Sequence, residues 1–232
     1  MAERYKSGSN PVSYTKAVHE KDHWREDRTA FHARCNLDIV PSEAVVRQEW
    51  WDVLRPPADL AHQCGQLVSK LQPSGALDQP KLSQLVSSIG EQTELWQPLV
   101  VTDPSRRRYR LLYEDDRIDI WVLSWMPGQG TGFHDHDHSE VALICVQGAV
   151  VERQMLLPSG VSRVKMSGGH CRTGGAGYIH AVDHDLGEPA VTLHAYSPPL
   201  AHVGQYVVNE EGILERKIQH GRRELMDLTI QI

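Results

Sequence analysis

The stretch GTGFHDHDHSEVALICVQG, residues 130–148, constrains the fold more than any other part of the chain. His134, His136, His138 and Glu140 occupy alternate positions. In a strand, residues two apart share a face, so four potential metal ligands would begin on one side of one strand. The run VALICV that follows reads as a buried continuation. This is the pattern of a β-barrel that carries a metal into its own interior.

The flanking sequence supports a barrel preceded by helices. EAVVRQEWWDVLR (43–55) follows Ser42 as a candidate N-cap and stops at Pro56-Pro57, as a helix would. In 58–71, Leu60, Cys64, Leu67 and Leu71 recur at helical spacing, and in 80–92 Leu82, Leu85, Val86 and Ile89 do the same. From about residue 98 the texture changes to short apolar runs separated by Gly, Pro and Asp turns, the mark of an antiparallel barrel or sandwich. Residues 203–219 read as a closing hairpin that turns at Asn209–Gly212. The expected organisation is a polar N-terminal extension (1–40) and a single domain (41–232), with helices in 43–92 and a barrel over about 98–220.

Composition narrows the function. The 232 residues are 40% hydrophobic and 23% charged, as in an ordinary soluble protein, and no apolar run is long enough to span a membrane. The N-terminal residues lack the apolar core of a signal peptide, so a cytoplasmic location is the expectation. A net charge of −6 gives no reason to expect nucleic acid. The one dense basic cluster, RRRYR at 106–110, is either a solvated strand end or an anion site. Cys35, Cys64, Cys145 and Cys171 show no CxxC spacing and read as reduced thiols. The oligomeric state is open; a monomer is compatible with the sequence.

Two segments share a grammar. The first runs from Gly128 through His134, His136 and Glu140 to Gly148; the second runs from Gly169 through Gly175 and Gly177 to His180. Together they resemble the two signature motifs of the cupin superfamily, whose fold is a mainly β, double-stranded β-helix (jelly-roll) barrel holding one metal; here it would carry an N-terminal helical layer. The second motif has Gly175 where proline is usual, and His184 where asparagine is usual. Imidazoles suit divalent iron, and three of them on one side leave positions open for other partners. His134 and His136 are the candidate ligands from one strand, with His180 the third from a partner strand. His138 either shares their face or is turned to solvent by a bulge. Glu140 is either a fourth ligand or a hydrogen-bond acceptor behind one.

The stretches WMPGQGTGFHDHDH and GYIHAVDHDLGEPAVTLHAYSPPL (177–200) resemble, more narrowly, the cysteine dioxygenase family of thiol dioxygenases. The resemblance implies Fe(II) held by His134, His136 and His180, with no organic cofactor. It further implies a hydrogen-bonded chain of hydroxyl, imidazole and phenol beside the iron. Here that chain reads Thr192, His194 and Tyr196, alternate positions on one strand, with threonine replacing the family's serine. The implied partners are a small thiol and O2, both oxygen atoms ending on sulfur as a sulfinate. A cupin metalloenzyme of another class, or a non-catalytic cupin that binds a small ligand, are the alternatives.

The substrate end departs from the family. Many animal members carry a cysteine crosslinked to the tyrosine; its slot here is Glu140 or Val141. The family's carboxylate-binding arginine falls on Arg108 or Tyr109, depending on a one-residue gap. Arg108 and Arg110 share one face of the strand, and Tyr109 takes the other. IDIWVLSW matches the family strand only with the gap, which puts Tyr109 inward. Trp121 and Trp125 either line the pocket or pack in the core. A pocket of Tyr109, Trp125 and Glu140 would suit an aromatic or cationic thiol, with an ergothioneine-type thiol as first guess and L-cysteine or a mercapto acid as the alternative.

Overall fold

The computed structural model describes residues 55–184 and 187–220. The expected extension at 1–40, and nearly all of the expected helix at 43–55, lie outside the described residues.

The described part begins with helices whose limits follow from local chemistry. Helix α1 (Ala58–Leu71) starts directly after Pro57 and buries Leu60, Cys64 and Val68, one residue per turn. Helix α2 (Gln79–Gly90) is capped by Asp78, whose side chain accepts the amide of Lys81, and a proline occupies its first turn, where no amide donor is needed. It buries Leu82, Leu85, Val86 and Ile89. A single turn, α3 (Thr93–Trp96), and a 3-10 turn (Gln97–Leu99) lead into the strands.

Twelve strands follow among the described residues, all paired antiparallel. One sheet comprises β1 (Arg108–Glu114), β2 (Asp119–Trp125), β5 (Glu140–Gln147), β8 (Cys171–Gly174) and β10 (Ala190–Ser197), in the order β1-β2-β10-β5-β8. The other contains β4 (His134–Asp135), β6 (Ala149–Leu156), β7 (Gly160–Ser167), β9 (His180–His184), β11 (His202–Val208) and β12 (Leu214–His220). Its order is β12-β11-β4-β9-β6-β7, with the short β3 (Gln129–Gly130) also on β9. Strands distant in sequence pair in both sheets, and the result is the double-stranded β-helix barrel with a helical layer expected from the sequence.

The first sheet is covered on both faces, which is why β2 and β10 are buried along their whole length. Ile120, Val122, Ala142, Ile144, Val191, Leu193 and Ala195 pack against α1 and α2. The alternate residues Trp121, Leu123, Trp125, Val141, Leu143 and Cys145 face the second sheet, where Val150, Met166, Val182 and Val203 meet them. The barrel interior is therefore apolar at one end and receives the even-numbered side chains of β10. The hairpin β11–β12 turns at Asn209–Gly212, where Gly212 takes a positive φ of 79° that a residue with a Cβ adopts only under strain. Cys64, Cys145 and Cys171 are free thiols. No helix among the described residues is long and apolar enough to cross a membrane.

The helix–sheet core predicts a cost for hollowing it. Ile89 is fully buried in this layer. Ile89→Ala should lower unfolding free energy by about 3 kcal/mol through lost burial and a residual cavity. Urea denaturation checks this, and an unchanged midpoint would contradict the packing described.

Candidate metal centre

Strand β4 contains only His134 and Asp135, and pairs His134 directly with His180 of β9. His136 follows one residue beyond β4. The candidate ligand nitrogens of His134, His136 and His180 lie within 4.8 Å of one another, and all three residues are buried. Nε2 of His180 is 3.4 Å from Nε2 of His136. Two nitrogens each about 2.1 Å from one ion, at roughly right angles, would lie about 3 Å apart, so the spacing fits a shared ion.

The tautomers also fit. His134 Nδ1 is 2.9 Å from the Gly132 carbonyl, and His180 Nδ1 is 2.9 Å from Glu152 Oε1. Each contact places a proton on Nδ1 and turns Nε2, the nitrogen available to a metal, into the cluster. Glu152, on β6, also accepts from Tyr178 (2.8 Å) and from Arg172 Nε (2.8 Å). Burial alone would raise its carboxyl, but the bonds from His180, Tyr178 and Arg172 outweigh that and hold it down to about 2. It is thus an anion directly behind the His180 imidazole. Burial, reinforced by the neighbouring histidines, pushes His134 and His136 well below the ordinary histidine range. The chemistry of this donor set, three buried imidazoles facing one point, suits a divalent transition ion.

The other sequence-derived candidates divide. Thr192, His194 and Tyr196 lie on the inward face of β10, beside the histidines. His194 Nε2 is 3.0 Å from Thr192 Oγ1, and Nδ1 is 3.2 Å from the Tyr196 hydroxyl. The Tyr196 ring centroid is 4.9 Å from that of His136. Trp125 Nε1 donates to Thr192 Oγ1 at 2.9 Å, so Trp125 joins this chain. Val141 pairs in register with Tyr196, so the slot beside the phenol holds an aliphatic side chain that cannot crosslink.

Two expectations are corrected. His134, His136, His138 and Glu140 do not share one strand face. A turn after His136, with Asp137 at a positive φ of 53° and the Ser139 amide bonded to the His136 carbonyl, resets the alternation before β5 begins. His138 is left 85% exposed. Glu140 shares parity with Ala142 and Ile144, which face the helices, and stands outside the cluster that could hold metal. The hydrogen-bond acceptor behind the ligands is Glu152 instead. At β1, Arg108 pairs with Asp103 (2.7 Å). Arg110, opposite Val122, lies on the helix-facing side. Tyr109 points inward, edge-on to Trp121.

Arg107 was missed as a candidate. Its guanidinium sits 5.0 Å over the Trp125 ring, and Nη1 reaches the Gly130 carbonyl at 3.5 Å. It lies close enough to help depress both His134 and His194, the latter to about 3 after burial and His180. The available signal was its shared parity with Tyr109. Glu152 carried no local signal, because its pairing with His180 depends on strands 28 residues apart.

The family model for cysteine dioxygenase type I matches residues 53–208, well over half of the chain. The chain belongs to the cysteine dioxygenase type I family. Human cysteine dioxygenase type 1 is 35% identical over 92 residues, covering 36% of this chain and 46% of that protein. The Danio rerio protein of the same name is 26% identical over 141 residues, covering 54% and 68%. The chain therefore spans about half the length of the mammalian relatives it matches. Among solved structures, a Klebsiella pneumoniae protein with a double-stranded β-helix domain is similar at 17% identity, covering 47% of this chain and 86% of that one, with a TM-score of 0.42. A cupin superfamily protein from Desulfitobacterium hafniense is similar at 15% identity, covering 44% and 86%, with a TM-score of 0.38.

For this member of the cysteine dioxygenase family, the buried histidines imply a pH dependence. His134, His136 and His194 bind protons less readily when folded than the roughly 6.5 of an exposed histidine. Their contribution is complete above about pH 6.5 and is lost as pH falls, because the unfolded chain takes up the protons first. Each proton so taken up costs about 1.4 kcal/mol per pH unit. The metal-free protein should show a lower urea midpoint at about pH 5.5 than at about pH 7.5, and a flat profile would contradict neutral buried imidazoles.

Proposed function

We propose that the protein is an iron(II)-dependent thiol dioxygenase that adds both atoms of O2 to the sulfur of a small thiol, giving a sulfinic acid. The observation that carries this reading is the Thr192–His194–Tyr196 chain lying directly beside the three-histidine cluster. Iron held by His134, His136 and His180 would supply the redox chemistry that O2 activation requires and the positive charge that favours a thiolate.

The protein's own groups do the rest. Trp125 is a donor only, so its N–H occupies a lone pair of the Thr192 hydroxyl. The Thr192 proton then turns to His194 Nε2, and His194 donates from Nδ1 to the Tyr196 oxygen. The Tyr196 hydroxyl thus ends this chain beside His136, where it can orient a reacting group. Deep burial keeps His194 neutral, so the chain keeps its direction across the physiological range. The apolar walls Leu111, Trp121, Leu123 and Val203 exclude water.

For the substrate, we infer a thiol that carries a carboxylate and no quaternary ammonium, such as cysteine or a mercapto acid. Arg107 brings positive charge to the edge of the site, and a guanidinium pairs a carboxylate in two bonds. The electrostatic ground for a cationic thiol of the ergothioneine type rested on Glu140, which faces the helices. A small thiol and O2 are thus the partners this reading requires.

Tyr196→Phe should retain the metal and lose turnover by about 10²–10⁴-fold, since only the hydroxyl is removed; undiminished kcat would reduce Tyr196 to packing. A panel of cysteine, cysteamine, 3-mercaptopropionate, mercaptosuccinate and ergothioneine, followed by O2 consumption in the iron-loaded protein, tests the substrate. The highest kcat/KM should fall on a carboxylate-bearing thiol without a quaternary ammonium, and Arg107→Met should raise its KM. Preference for cysteamine or ergothioneine would overturn the substrate assignment, and no O2 uptake with any thiol would overturn the activity.

A further inference from the structure

Asp135 stands between two candidate ligands, and its side chain points away from them. It is 3% exposed, and its carboxylate is fully engaged. Oδ1 accepts from the Asp137 amide (2.9 Å) and from Arg216 Nη2 (2.7 Å). Oδ2 accepts from the Tyr206 hydroxyl (2.8 Å) and from Arg216 Nε (2.7 Å). Arg216 Nη2 also reaches Asp137 Oδ1 at 3.2 Å, on the turn that follows His136. One guanidinium thus grips the chain immediately after each of the two histidines.

Arg216 belongs to β12, which is separated from β4 by β11 in the sheet. To reach Asp135 it crosses β11 at Gly204, the residue opposite Asp135 in register. A Cβ on Gly204 would lie 2.2 Å from Arg216 Nε and 2.5 Å from Cζ. The glycine is therefore a slot through which the arginine passes. The slot matters because β4 has only two residues. Its backbone register is short, and His136 lies beyond it on an irregular turn. Side-chain bonds must supply the rigidity that a longer ladder would give. A bidentate, charge-assisted pair on a buried carboxylate is the strongest means available.

We infer that Arg216, lodged in the Gly204 slot, is a positioning residue for the metal centre: it fixes the spacing of His134 and His136 through Asp135 and Asp137. The inference rests on the metal reading of the three histidines. It assigns the β11–β12 hairpin, which contributes no candidate ligand, a part in metal affinity. Removing such a partner behind metal ligands costs about 10–100-fold in affinity. Arg216 acts one step further back, through the backbone, so about tenfold is expected.

The test is Co(II) affinity of the metal-free full chain, measured by competition with a chromophoric chelator. Thermal unfolding of the same metal-free samples is followed in parallel. Arg216→Met should weaken Co(II) binding about tenfold, and Arg216→Lys, which keeps the charge but loses the bidentate fork, should fall between it and wild type. Gly204→Ala, which leaves Arg216 in place but closes its path, should resemble Arg216→Met. Lys217→Met, one position along the same strand, should bind as wild type. The Asp135→Asn, Arg216→Met double variant should bind no more weakly than Asp135→Asn alone. If Arg216→Met does not fold, Gly204→Ala and Arg216→Lys carry the test. Wild-type Co(II) affinity in the folded variants would overturn the inference, even where the unfolding temperature drops, since that is the signature of a merely structural clamp. Failure of the wild type itself to bind Co(II) would overturn the metal reading and the inference with it.

Discussion

The antiparallel pairing of His134 with His180 is the constraint on which the site depends. It joins a two-residue strand to β9, across 46 residues of chain, and brings imidazoles from two strands to one buried corner. Three imidazoles facing one another are unfavourable company without a cation between them, and burial denies them water as a substitute. The surrounding bonds all resist dispersal of the cluster. Glu152 holds His180 from behind, the Gly132 carbonyl holds His134, and Arg216 holds the backbone between and after the two histidines. Glu152 is in turn held by Arg172 and Tyr178, so the carboxylate keeps its charge in a setting that burial alone would neutralise.

Strand β10 couples this site to the stability of the fold. Its odd positions, Val191, Leu193 and Ala195, pack beneath the helices, and its even positions, Thr192, His194 and Tyr196, enter the barrel. Each even side chain is polar, fully enclosed and supplied with a partner within the same strand or from Trp125. Buried polar groups are costly unless satisfied, so a chain of three that satisfies its own members can be kept in a core at little expense. The apolar half of the strand anchors the polar half to within a narrow geometry. That is the rigidity a hydroxyl needs to be aimed at a reacting group.

The substrate end is governed by charge. Arg107, stacked on Trp125, and Tyr109, edge-on to Trp121, face the interior together because they share strand parity. Arg108 lies on the opposite parity and is taken up by Asp103. Beside Trp125 the charge is thus the Arg107 guanidinium, where an acidic pocket was expected from Glu140.

The sequence alone determined those features that repeat at short range. Helical spacing located α1 and α2, turn residues located the β11–β12 hairpin, and the two histidine motifs singled out His134, His136 and His180. The alternation of Thr192, His194 and Tyr196 was equally legible, because a regular strand carries its period without interruption. Where the period breaks, local reading left His138 open and misplaced Glu140: the turn at Asp137 resets the alternation, and the folded backbone puts Glu140 on the helix side and His138 in solvent. Glu152 and Arg216 became visible only in tertiary structure. Their partners lie across strands whose pairing is decided by the whole barrel, and no spacing along the chain encodes which carboxylate will stand behind which imidazole.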